Sequence, residues 1–261
     1  MLRAMFALAA TSMVGQIATG IHLVEVRFNS GTRLDGVDLN KCAADLKSRT
    51  YEGSQWTDSL LERVKVQYLQ DKGYFKAAVK ASTRQLPDRQ GTHQFVITFD
   101  IDGGPQYRLG NITFSNNHAV TNAKALRNLF PIKDGDILGR EAIMKGLEKL
   151  RYAYGELGYI NFTPVPAITF DDEKKLVFME IDVDEGKQFY VSSIDIVGAD
   201  AQALNDLALV PGQIYNVRLV ELFLRKHLPG ADVNDPNIQH RVLNERDGTV
   251  ALTFDLRSRP N

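Results

Sequence analysis

The sequence predicts an α+β protein of three tandem β-α-α-β-β units, each a three-stranded mixed sheet covered by two helices on one face. Three observations lead there. The stretch Phe99-Asp-Ile-Asp-Gly-Gly-Pro-Gln-Tyr-Arg-Leu-Gly-Asn-Ile-Thr-Phe-Ser-Asn116 returns 82 positions later as Ile181-Asp-Val-Asp-Glu-Gly-Lys-Gln-Phe-Tyr-Val-Ser-Ser-Ile-Asp-Ile-Val-Gly198, ungapped over 18 positions. Such self-similarity marks an array of small units. A helix end, Gly73-Tyr74, recurs 85 positions on as Gly158-Tyr159. In each unit the last two strands close on a short turn and must be antiparallel, whereas the opening strand rejoins them through a helix pair. Placing the last strand in the middle satisfies both demands.

The first unit, 21–103, opens with the alternating strand Ile21 to Phe28, with Leu23, Glu25 and Arg27 on one face and His22, Val24, Val26 and Phe28 on the other. Leu39, Ala43 and Leu46 space a short helix over Leu39 to Arg49. Asp58 is positioned to cap a second helix, Ser59 to Lys72, with a stripe at Leu60 or Leu61, Val64 and Tyr68. Gly73 ends it, since glycine takes the left-handed conformation without strain. Strands Lys76 to Arg84 and His93 to Asp102 flank a turn with Pro87, Asp88 and Gly91.

The second unit, 104–186, repeats this order: strand Leu109 to Ser115, a short helix capped by Thr121 or Asn122, and a long helix from Arg140 to Leu157. Ile143, Leu147, Leu150, Tyr154 and Leu157 form its apolar stripe, and strands Asn161 to Thr169 and Leu176 to Asp184 complete the unit. The third, 187–261, is leaner: strand Val191 to Val197, helices Ala201 to Leu209 and Val217 to Leu228, a stop at Pro229-Gly230, and a hairpin of Ile238 to Leu243 with Thr249 to Leu256. Gly212-Gln-Ile-Tyr215 echoes Gly135-Asp-Ile-Leu138 between the helices.

Composition narrows the function. A net charge of −1 over 261 residues removes the electrostatic footprint of a nucleic-acid binder. One cysteine, Cys42, excludes a disulfide framework and a thiolate metal cluster, and reads as a small core residue. Residues 1–20 carry Arg3, an apolar run from Ala4 to Val14 and small residues at Ala18-Thr-Gly20. They read as an export signal, or on the plainer view as a frayed apolar helix or an imperfectly chosen start. Beyond them no apolar run approaches the roughly 18–20 residues of a membrane helix.

Gly73-Tyr74, Gly158-Tyr159, Gly104-Pro-Gln-Tyr107, Gly186-Lys-Gln-Phe189 and the Gly135-Asp-Ile loop, in the β-α-α-β-β order, resemble POTRA domains, the modules found in front of outer-membrane barrels of the Omp85 type. The resemblance implies a periplasmic protein associated with the outer membrane, acting in protein assembly or transport, with no cofactor, no catalytic residue and no small-molecule substrate. Its implied partners are an outer-membrane barrel protein or assembly complex and unfolded outer-membrane polypeptides. A barrel would need at least about eight strands of roughly ten residues, which the sequence to Asn261 does not contain. A stand-alone array, the partner of a separate barrel and a truncated gene all stay open, as does a docking role in secretion or cell division.

With the last strand central, the second-last is an exposed edge able to accept an extended peptide. In the first unit Lys76, Ala77, Ala78, Val79, Lys80, Ala81, Ser82, Thr83 and Arg84 include no proline, so their donors are available. In the second, Pro164 and Pro166 blunt the edge. Strand addition is therefore expected at the first edge in preference to the second, the plainer alternative being that both stay solvated. Gly104, Tyr107, Gly186 and Phe189 are expected at the joints between units. Asp100/Asp102 and Asp182/Asp184 have a spacing that metal and paired-carboxylate chemistry use, but they lie on the polar face of a strand beside a turn, where calcium ligation would need oxygens at Gly104 and Gly186. Histidines 22, 93, 118, 227 and 240 lack ligand spacing. A small hydrolase or metal-dependent enzyme is the competing class, and a structural spacer a third reading.

Overall fold

The computed structural model describes residues 20–89, 91–198, 203, 206–230, 232 and 235–257. By compactness the chain divides between Gln106 and Tyr107, with one repeat unit before that point and two after it.

The first body holds a four-stranded sheet. Its strands are β1 (Gly20–Ser30), β2 (Thr50–Tyr51), β3 (Ala78–Arg89) and β4 (Thr92–Asp102), in the order β2-β1-β4-β3. The last strand is central, parallel to β1 and antiparallel to β3, as the connection lengths require. The short β2 is an addition to the three strands expected. The alternation expected for β1 breaks at Val24: the register steps from Leu23↔Phe95 to Glu25↔Val96, leaving Val24 as a bulge. A bulge inserts one residue and reverses the faces beyond it. Leu23 is therefore fully buried while Glu25 and Arg27 stand on the open face, and Val24 is 47% exposed.

Helix α1 (Leu39–Lys47) is capped by Asp38, whose side chain accepts from the Lys41 N–H at 2.9 Å, and it buries Cys42 and Leu46. Burial of the Cys42 thiol, with Asp45 nearby, pushes its pKa up to about 12, so it stays a protonated core group. The second helix differs from expectation. It begins as α2 (Trp56–Arg63) behind Gln55, so Asp58 lies in the first turn without capping it. It continues as a π-helical stretch, Val64–Leu69, and a 3₁₀ turn, Gln70–Lys72. At its end the Gly73 N–H reaches the Gln70 carbonyl and the Tyr74 N–H the Leu69 carbonyl, a Schellman closure around a φ of +82°.

In the second body, β5 (Arg108–Ser115), β6 (Thr163–Asp171) and β7 (Leu176–Asp184) form a sheet in the order β5-β7-β6. The strands β8 (Tyr190–Val197), β9 (Gln239–Asn244) and β10 (Thr249–Asp255) form another, β8-β10-β9. Both opening strands carry the same bulge as β1, at Gly110 and at Ser192. At Gly110 a Cβ would meet the Phe178 ring at 2.6 to 2.9 Å, which is why glycine stands there. Helices α3 (Ala123–Arg127), capped by Asn122, and α4 (Arg140–Glu156) cover the first of these sheets. The stripe of α4 buries Ile143, Leu147, Leu150 and Tyr154, but Leu157 lies past the helix end and is 40% exposed. Gly158 and Tyr159 repeat the Schellman closure onto Gly155 and Tyr154. Helix α5 (Val217–His227) covers the last sheet. Of the helix expected over 201–209, residues 201, 202, 204 and 205 lie outside the described residues, and Leu207, Ala208 and Leu209 are not helical, Leu207 and Leu209 being buried in the core of this unit instead. Among the described residues no helix is long and apolar enough to cross a membrane.

One further pairing recurs. The Gly135-Asp-Ile-Leu138 loop lies along the outer side of β5, with Gly135 N–H on the Leu109 carbonyl at 2.7 Å and Leu138 N–H on that of Tyr107 at 3.0 Å. Gly212 and Tyr215 do the same to Val191 and Phe189, at 2.7 and 2.9 Å. In the first body β2 holds this place on Ile21 and His22. The opening strand is thus not a bare edge, contrary to the simple three-stranded picture.

The bulge is open to test by stability. Leu23→Ala is expected to cost about 2–5 kcal/mol, and Val24→Ala to stay within about 0.5 kcal/mol, both read from urea unfolding. Similar losses at the two positions would contradict the observed phase.

Candidate functional site

Among the described strands, β3, β6 and β9 each lie at a sheet edge as the hairpin partner of the central strand. Lys76 and Ala77 precede β3, the Ala77 N–H turning back to the Tyr74 carbonyl at 3.4 Å, while the residues from Ala78 to Arg84 lie within it. The three edges can be compared position by position. Ala81 pairs with Phe99, Pro166 with Ile181 and Gln239 with Phe254, which are equivalent residues of the central strands. In an antiparallel ladder, N–H groups of alternate residues point to the partner and away from it. The Asp255 N–H donates to the Ile238 carbonyl at 2.9 Å, so Ile238 faces its partner and Gln239 faces outward. Pro164 and Pro166 share that outward parity, the side on which a missing N–H is tolerated.

At the shared position the three edges differ. Ala81 has an outward N–H, Pro166 has none, and the Gln239 N–H is taken by the Asp235 carbonyl at 2.9 Å. The Gln239 side chain is itself 9% exposed, and its Nε2 has no partner among the described residues. On the open sheet face the β3 edge presents Lys80, Ser82 and Arg84, all exposed, whereas β6 presents Val165 at 52% exposure and β9 presents Val242 at 56%. An open concavity of about 740 Å³ lies at one end of the first sheet, among Asn29, Ser30, Ala78, Lys80, Asp100 and Asp102.

The junction residues take definite places. Gly104 and Gly186 have φ of +59° and +63°, and their N–H groups donate to Asp102 and Asp184 carboxylates, each at 3.2 Å. Tyr107 is fully buried in the second unit, edge-on to Phe170 at 5.0 Å, with its hydroxyl on Asp172 at 2.5 Å. Phe189 is fully buried in the core of the third unit. The glutamine of each junction has a role that sequence reading passed over, although it stands in both copies. Gln106 Nε2 donates to the Lys72 carbonyl at 2.8 Å, and Gln188 Nε2 to that of Leu157 at 2.9 Å, in each case the residue before the left-handed glycine. Both satisfy a helix-end carbonyl that would otherwise lack a partner.

The second and third units meet at Gly158, which has φ +86° and where a Cβ would lie 2.6 Å from Ile214 Cγ2, 3.1 Å from the Phe189 carbonyl and 3.2 Å from that of Tyr215. Asn216, also missed, spans two helices. Its Oδ1 accepts from the Arg218 and Leu219 N–H groups at the start of α5, and its Nδ2 donates to the Glu156 carbonyl at the end of α4, at 2.9 Å. An asparagine just before an apolar helix is a legible N-cap, but the second bond depends on where α4 ends. Tyr152 on Glu221 and Asn161 on Glu245 add further bonds between these units.

The acidic pairs are engaged locally. Asp100 accepts from Asn29 at 2.8 Å and Asp182 from Asn116 at 2.7 Å. The equivalent Asp255 is held by the Arg257 side chain and backbone N–H, which depress its pKa from 3.8 to about 2. Among the described residues no group of three or more His, Cys, Asp or Glu could hold a metal ion.

The POTRA family model, described as a surface antigen variable number repeat, matches residues 107–186. The outer membrane protein assembly factor BamA of Buchnera aphidicola is 26% identical over 181 residues, which cover 68% of this chain and 28% of that protein. The match thus spans less than a third of that relative. POTRA3-5 of Haemophilus influenzae BamA shares the fold, with a TM-score of 0.65 at 20% identity, covering 93% of this chain and 98% of the other.

Gly158→Ala is expected to cost the roughly 1–2 kcal/mol of a left-handed alanine and more from the contacts above. Gly135→Ala, at φ +89° with nothing within 4 Å, pays the backbone term alone. Asn216→Ala is expected to cost about 1 kcal/mol. Denaturant unfolding ranks the three, and equal losses at the two glycines would contradict the pinch at Gly158. At neutral pH Asp255→Asn is expected to be less stable than the parent. The depressed pKa stabilises the fold above about pH 4, and that contribution is lost as pH falls from the ordinary 3.8 through about 2. The gap between variant and parent therefore narrows over that window in a pH series of unfolding curves, and a constant gap would contradict the assignment.

Proposed function

We propose that this chain, an array of POTRA domains of the Omp85 type, is a non-catalytic scaffold on the periplasmic side of the outer membrane that receives extended segments of other proteins by strand addition. The fitting partners are an outer-membrane barrel or its assembly complex and unfolded outer-membrane polypeptides. The receiving surface is the edge strand β3, and the junctions at Gly104–Tyr107 and Gly186–Phe189 serve as joints between units.

The observation that carries this reading is the outward amide at the shared edge position, present at Ala81, absent at Pro166 and already bonded at Gln239. An added strand draws its affinity from main-chain hydrogen bonds, so an edge whose amides are missing or occupied cannot serve it as well. The opening strands are excluded over their starting residues, where β2 or the inter-helix loop occupies their outer side. Main-chain recognition is also tolerant of sequence, which suits unfolded clients of varied composition.

The test places a photo-crosslinker at Thr83 on β3 or at Ile168 on β6 and offers an unfolded outer-membrane barrel polypeptide. Crosslinking is expected at 83 over 168. Ala81→Pro, which copies the chemistry of Pro166, should weaken capture about 5- to 10-fold, the worth of one main-chain bond, while leaving the unfolding midpoint near the parent's. Equal yields at both edges, or no effect of the proline, would overturn the reading.

A further inference from the structure

Resting on that reading, we propose that the segment β3 receives is an extended strand bearing carboxylates on alternate residues, directed at Lys80 and Arg84. These two cations are exposed on the open face, four residues apart, with Ser82 between them. Residues of one strand four apart point the same way, so both face the same side of an incoming partner. The strand from Ala78 to Leu86 contains no acidic residue. Among the described residues neither cation is in an ion pair.

Asp100 stands directly across the ladder from Lys80, and Arg84 helps Arg27 to hold the Glu25 pKa down, but the acids of this face make their hydrogen bonds to other groups. Glu25 is in a two-bond pair with Arg27 at 2.8 Å, Asp100 accepts from Asn29, and Asp102 accepts from the Gly104 N–H. Asp100 and Asp102 sit on β4, on the inner side of β3, and Glu25 lies on β1, one strand further in. A strand added to β3 would stand about 5 Å from Lys80 and Arg84 and about 10 Å from the nearest β4 acid, the latter close to the screening length at physiological salt. The cations therefore dominate the field that an added strand meets. Opposite charges directly across a ladder are favourable and like charges unfavourable. The other two edges lack this pattern, presenting Val165 with Ala167 and His240 with Val242.

Three ten-residue peptides alternating valine with aspartate, serine or lysine, labelled for fluorescence anisotropy, test the inference on the full chain. The aspartate peptide is expected to bind about 10-fold tighter than the serine peptide and to lose that advantage in high salt. The double variant Lys80→Glu with Arg84→Glu should transfer the preference to the lysine peptide. Ala81→Pro should weaken all three. Equal affinities that Ala81→Pro still abolishes would overturn the acidic preference and leave strand addition standing. Binding that Ala81→Pro does not change, or no binding by any peptide, would overturn the edge reading and this inference with it.

Discussion

Every unit depends on the parallel pairing of its first strand with its last. In the first body this joins Gly20 to Thr92 and runs to Ser30 opposite Ile101; in the second it joins Arg108 to Leu176 and Tyr190 to Thr249. A parallel pair needs a long crossover, and the two helices supply it, which sets them over one face. The last strand then has both sides occupied, by the opening strand and by its hairpin partner. The loop between the helices, or β2 in its place, closes the outer side of the opening strand at its start. What remains is the hairpin partner, and the functional reading rests on that edge.

The same pairing explains the joints. The chain leaves each central strand and enters the next opening strand after a few residues, through a left-handed glycine. The junction glutamine satisfies the last helical carbonyl of the unit just completed, so the helix end and the departing chain are held together. Between the second and third units, Gly158 admits two carbonyls and Asn216 bonds the end of α4 while capping α5. Gly139, the residue equivalent to Asn216 in the preceding unit, caps α4 without a side chain.

Much of the fold was legible because its signals are local. The Gly-Tyr ends mark Schellman closures, and the stripe through Ile143, Leu147, Leu150 and Tyr154 marks a buried helix face. What escaped was a change of phase. A bulge at Val24 costs nothing visible in an alternating pattern, since Leu23 and Val26 are both apolar on either reading, yet it moves Glu25 and Arg27 to the open face. The start of the second helix escaped for a similar reason: Asp58 is a good cap by type, but the preceding turn through Gln55 begins the helix earlier.

The candidate site divides the same way. Sequence by itself determined the repeat, the order of the three main strands in each unit, and the absence of proline from Ala78 to Arg84 against its presence at Pro164 and Pro166, because those follow from connection length and residue type. Only the tertiary structure decided which amides face outward, that Asp235 occupies the one on Gln239, and that Lys80 and Arg84 stand together on an open face while Glu25, Asp100 and Asp102 are held by other partners. The physical reason is that hydrogen-bond parity and charge neighbours are set across strands, between residues far apart in the chain, and no local pattern carries them.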